Sequence, residues 1–216
     1  MNKEWSALNK TMQLELKKKD TFEAGIGTLL TLRDELMDEM LSWREKYKRE
    51  DFDAMPFINA DGYHCKNLAY SIWHVFRIED IVAHDLIAGD DEVLFTGDYQ
   101  KRIKSPIITT GNELHKEKIA QFTRKLNLDE LYAYASEVKE STEGILSELS
   151  FEMLKNDVTD ERRANLESLG VVSKDEDAVW LIDYWCGKDV RGLIQMPFSR
   201  HWIMHIEACL RIMKKL

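Results

Sequence analysis

From Leu131 the residues that form one side of a helix advance by alternating steps of four and three: Leu131, Ala135, Val138, Thr142, Ile145 and Leu149. That spacing keeps one helix face against a neighbour over several turns, and a chain that sustains it folds as packed helices rather than as a sheet. Asn127-Leu128-Asp129-Glu130 supplies an N-cap, so the pattern predicts a helix near 128–155. Three more long helices are read in the same way. One runs near 21–48 through Phe22, Ile26, Leu29, Leu36 and Met40, opened by a capping box at Asp20-Thr21-Phe22-Glu23. Another runs near 65–88 and closes on Gly89 as C′ residue, and the last runs near 197–214 with Pro197 at its first position. With only 3 Pro and 10 Gly to interrupt them, these stripes predict an all-α fold, a four-helix bundle with extra short helices.

The remaining segments are shorter. A leading helix is expected over residues 1–19 and a loop from Asp51 to Gly62. A second capping box, Thr110-Gly111-Asn112-Glu113, is expected to start a short helix reaching about Lys125. Residues 156–196 form an insertion before the last long helix. Within it, one helix is expected from Asp160 to Gly170, and another is capped by Ser173-Lys174-Asp175-Glu176 and stops at Gly187. That second helix carries Trp180, Tyr184 and Trp185, read as filling space beside the bundle in preference to lining a pocket. No repeat or Pro- or Ser-rich linker divides the chain, so residues 1–216 read as a single domain.

The net charge of -9 and the lack of a basic stripe argue against nucleic acid as a partner. Cys65, Cys186 and Cys209 form no CxxC pair and leave an odd count, which suits a reducing compartment. No apolar run of 18 residues and no apolar leader occur, so no membrane span is expected and the reading is cytoplasmic.

The chemistry gathers on histidines. His201 and His205, four apart, place both imidazoles on one face of the last helix, roughly 40° apart at 100° per residue. His74 sits at the centre of an apolar stripe with Ile78 and Ile81 on the second helix, with Arg77 at its edge. His84 lies off that line and reads as an outer or surface group. If the second and last helices are neighbours, His74, His201 and His205 converge on a divalent transition metal, with positions left open for water or a thiolate. Three histidines suit Zn, Ni or Fe alike. Arg77 could hold a substrate or thiol carboxylate through its planar fork of donors, with an ion pair to Glu79, Asp80 or another helix as the competing role. Glu207 and Asp85 are candidates to orient the ligands. Metal affinity is expected to fall as pH drops through about 6.5, the unperturbed imidazole value. The last helix is apolar on two faces, one of which is expected to meet either a partner chain, giving a homodimer, or the 175–195 segment.

Two segments, Ser71-Ile72-Trp73-His74-Val75-Phe76-Arg77-Ile78-Glu79-Asp80 and Arg200-His201-Trp202-Ile203-Met204-His205, resemble the DinB-like superfamily of metal-binding helical bundles. Thr110-Gly111, Leu131-Tyr132-Ala133-Tyr134 and the stretch from Asp175 to Trp185 add to the similarity, which runs from about residue 20 onward. The resemblance implies an up-down-down-up four-helix bundle, often dimeric, with a divalent metal on His74, His201 and His205. It also implies thiol-dependent chemistry of the S-transferase or isomerase kind, in which a low-molecular-weight thiol is activated toward a small-molecule substrate. The leading helix and the 156–196 insertion depart from the minimal pattern of that family. A metallohydrolase using metal-bound water, or a non-enzymatic metal-binding stress-response protein, are the alternatives.

Overall fold

The computed structural model describes residues 2–216, which are helical with no sheet strand; one isolated antiparallel bridge joins Asp157 and Asp189. The principal helices are α1 (Lys3–Glu15), α2 (Phe22–Lys46), α3 (Leu68–Ile81), α4 (Leu128–Ser147), α5 (Glu176–Cys186) and α6 (His201–Met213). Among the described residues no helix is long and apolar enough to cross a membrane. Two buried apolar clusters fill the interior. One gathers around Trp43, Trp73, Tyr132 and Trp202, the other around Phe22, Leu29, Leu154 and Phe198. Helix α3 packs against both α4 and α6, and α2 packs against α4, α6 and α1.

Local chemistry explains most helix ends. Asn127 accepts the N–H groups of Asp129 and Glu130, and Asn67 accepts that of Tyr70, so α4 and α3 both begin on an asparagine cap. α3 continues into a π-helical stretch, Val82–Ala88, closed by Gly89 at φ 79°, whose N–H reaches five residues back to His84 O at 2.6 Å.

Four expectations are corrected. Asp20 caps nothing: a 3-10 turn, Lys19–Thr21, precedes α2, and the Thr21 hydroxyl donates to Glu15 O, tying α2 to the end of α1 instead. The leading helix accordingly stops at Glu15. The Thr110-Gly111-Asn112-Glu113 box starts no helix, because Gly111 lies at φ 81° and the carbonyls around it are spoken for by α3; the helix that follows covers only Glu117–Thr123. Finally, α4 ends at Ser147 rather than near 155, its last turn tightening to i→i−3 bonds at Glu148 and Leu149.

One buried ion pair joins the four long helices. Arg33 on α2 donates through Nη1 and Nη2 to both carboxylate oxygens of Glu79 on α3, at 2.9 and 2.7 Å. The same guanidinium meets Glu143 and the Lys139 carbonyl on α4 and the Phe198 carbonyl just before α6. Trp202 of α6 completes the node by donating its indole N–H to Glu79 at 2.7 Å. Both charged side chains are fully buried.

Candidate metal centre

Each ligand position follows from a helix face. On α3, Tyr70 and His74 are one turn apart, and their rings stack at 5.4 Å with 13° between planes. Four side chains of this face grip successive carbonyls of the loop after Lys104. Tyr70 donates to Gly111 O at 3.0 Å, Trp73 to Thr109 O at 3.1 Å and Arg77 Nε to Ile108 O at 2.6 Å. His74 Nδ1 lies 2.8 Å from Thr110 O. A carbonyl only accepts, so Nδ1 carries the proton and the Nε2 lone pair points the other way.

It points at α6. His74 Nε2 and His201 Nε2 are 3.2 Å apart, and the three rings of His74, His201 and His205 have centroids separated by 5.0, 4.8 and 4.6 Å. One nitrogen from each of the three lies within 4.8 Å of the others. All three rings are buried. His201 Nδ1 and both nitrogens of His205 have no hydrogen-bond partner. A neutral imidazole has one N–H and one lone pair, and leaving such a group dry and unpaired costs about 1–3 kcal/mol. Buried, neutral, converging nitrogens with lone pairs to spare fit a divalent transition metal.

Burial sets the protonation. It pushes His74 down to about 4, with the hydrogen bond to Thr110 opposing and the Lys66 charge adding to the fall. His201 and His205 are driven well below the usual imidazole range, first by burial and then by their histidine neighbours. The triad is therefore neutral at pH 7, as metal ligation requires.

A cavity of about 280 Å³ opens over the triad, with His74 and His201 in its lining. Trp180, Tyr184 and Trp185 of α5 also line it, so the insertion builds a pocket wall where space-filling was expected. Tyr63, in a short turn before α3, lines the cavity and sets its ring edge-on to His205 at 4.9 Å.

The other sequence candidates lie elsewhere. Arg77 is fully buried in an ion cluster with Glu92 and Asp80, its Nε spent on Ile108 O, and it is not part of the cavity wall. Asp85 sits beside Glu92 in that cluster, which raises its carboxyl to about 8 after burial. Glu207 accepts the backbone N–H of Asn2 at 2.5 Å. His84 is a buried group, not a surface one, held between Asp90 and Ser141. The partner that orients His74 is a main-chain carbonyl, which side-chain patterns do not reveal; Tyr70, one turn from His74, was the available clue.

Fold and site together define an all-helical protein with a buried cluster of three histidines able to hold a metal ion. Compared with protein-family models and with curated proteins, the chain matches none.

Proposed function

We propose that this chain is a DinB-like four-helix bundle whose His74, His201 and His205 hold a divalent metal, and that it performs thiol-dependent S-transfer or isomerisation. The observation that carries the reading is the triad: three buried imidazoles within ligand distance of one another, one of them fixed in tautomer by Thr110 O. The mutual packing of α2, α3, α4 and α6 is what a bundle of that kind requires.

The bound ion would supply Lewis acidity, holding a thiol as its thiolate near neutral pH. The protein's own groups do the rest. Thr110 O keeps the His74 proton on Nδ1, so Nε2 stays available, and the Tyr63 ring packs nearly perpendicular to that of His205. Arg77 lies outside the cavity wall, with Nη1 paired to Glu92 and Asp80 and Nε given to Ile108 O, and the reading does not depend on it.

The test is elemental analysis of the purified protein beside a thiol-conjugation screen. Near-stoichiometric Zn, Ni or Fe together with thiol-dependent turnover is the expected result. Metal with thiol-independent hydrolysis points to the metallohydrolase, and metal without turnover to a binding protein. The homodimer belongs to the same proposal, although α6 is largely covered within its own chain and offers no exposed apolar face as its motive. Light scattering at micromolar concentration should give twice 25.3 kDa; a mass of 25.3 kDa ends that part of the reading.

A further inference from the structure

We infer that the cavity over the triad takes a small, uncharged aromatic molecule, held by its flat apolar body against α5. The inference deepens the metal reading by naming the substrate class of the same site, but it stands on the cavity walls and not on the ion.

The walls are Trp180, Tyr184, Trp185, Tyr63, Ile78 and Pro197, with the imidazoles of His74 and His201 also in the lining. Trp180 and Tyr184 meet edge to face at 5.6 Å and 70°. The Trp180 indole N–H is already given to Asp177 O at 3.0 Å, so what the side chain offers a ligand is its ring. Trp180 is nevertheless 48% exposed and Tyr184 36% exposed, a large apolar area at the mouth that a flat ligand would cover.

Charge decides the class. Among the described residues the lining includes no Lys or Arg, and its one amide, Asn112, which receives the Thr110 hydroxyl on Oδ1, has only its neutral Nδ2 donors to offer. Nearby ammonium groups are engaged: Lys66 donates to Leu114 O and covers the Tyr70 ring, and Lys188 lies over the Tyr184 ring. A ligand carboxylate entering the metal-free cavity would lose its water and meet no cation among the lining residues. The volume, at the small end for ligand sites, suits a ligand the size of a fused pair of rings. At the surface, Asp177 at the start of α5 lies 3.0 Å from His115 Nε2, and Asp183 pairs with Arg163 at 2.6 Å.

The experiment is calorimetric titration at pH 7 with 2-naphthol and with 2-naphthoate, which share a ring system and differ in charge. Both the purified and the chelator-treated protein are titrated, and metal content is measured separately. We expect 2-naphthol to bind at least about tenfold more tightly than 2-naphthoate to the metal-free protein. We expect Trp180→Ala and Tyr184→Ala each to weaken it by about tenfold, with metal content unchanged. Equal or tighter binding of 2-naphthoate to the metal-free protein, no binding of either probe, or indifference to both substitutions overturns the inference. A protein that discriminates the probes yet takes up no metal refutes the metal reading and leaves this one standing; one that loads metal and ignores 2-naphthol does the reverse.

Discussion

His205→Ala, and equally His201→Ala, should lower the affinity for Zn or Ni by well over 100-fold, since losing even an outer hydrogen-bond partner of a ligand costs roughly 10–100-fold. Equilibrium dialysis with metal analysis reads the loss, and circular dichroism should show the helices intact, because the core is carried by apolar side chains around the site. Wild-type metal affinity in the double variant would refute the site. The pH dependence follows from burial. In the unfolded chain the three imidazoles take up protons near pH 6.5, whereas in the folded chain His74 resists down to about 4 and its two neighbours lower than their ordinary value as well. Between those limits the unfolded state binds more protons, so the metal-free protein loses stability as pH falls from about 6.5 toward 4 and regains it as pH rises. His74 alone accounts for about 3 kcal/mol of this if its full shift is realised. Urea denaturation at pH 7, 5.5 and 4.5 measures it. Metal affinity should in turn hold through pH 6.5, where the unperturbed value would place its decline, and weaken only at lower pH. A fall centred on 6.5 would mean the rings are wetter than described.

The second large effect is expected at the ion pair between helices. Glu79→Ala leaves the Arg33 guanidinium fully buried without its bidentate partner and strands the Trp202 N–H, and should destabilise the protein by about 3–5 kcal/mol. Replacing the pair together, Arg33→Met with Glu79→Leu, should recover most of that loss, since two apolar side chains leave no orphaned charge. Chemical denaturation of the two variants beside the wild type decides it; a loss below about 1 kcal/mol for Glu79→Ala would mean that water reaches the pair.

The helices and the His201–His205 pair were legible because both are written in local spacing, whereas joining His74 to that pair, 127 residues away, rested on the family resemblance. The four-and-three steps of α4, the asparagine at its cap and the four-residue interval of His201 and His205 all lie within one element. His74 showed itself as a lone imidazole in an apolar stripe. What stayed hidden is tertiary. Arg33 and Glu79 are 46 residues apart, and each looks like an ordinary polar residue on its own helix; only the packing of α2 on α3 and α6 reveals that they share a dry space. Thr110 looked like a helix cap because its side chain fits that role, while its carbonyl serves His74. The aromatics of α5 gave no sign of whether they faced a core or a cavity, and Trp185 does both.

The π-helical turn Met196–Arg200, where His201 N–H reaches five residues back to Met196 O, bears on how this chain tolerates a change of length. Removing one residue from that turn would let the same backbone settle into ordinary i→i−4 bonding, with little lost in hydrogen bonds. His201 and His205 would keep their places on α6, packed against α3, while the short segment just before the turn, Val190–Gln195, would rotate by about 100° around the helix axis. Met196 and Pro197, which line the cavity, would be re-aimed with it. A single-residue gap here would thus leave the triad whole and redraw the mouth above it, so the ligand preference of such a chain can change without any substitution among its ligand histidines.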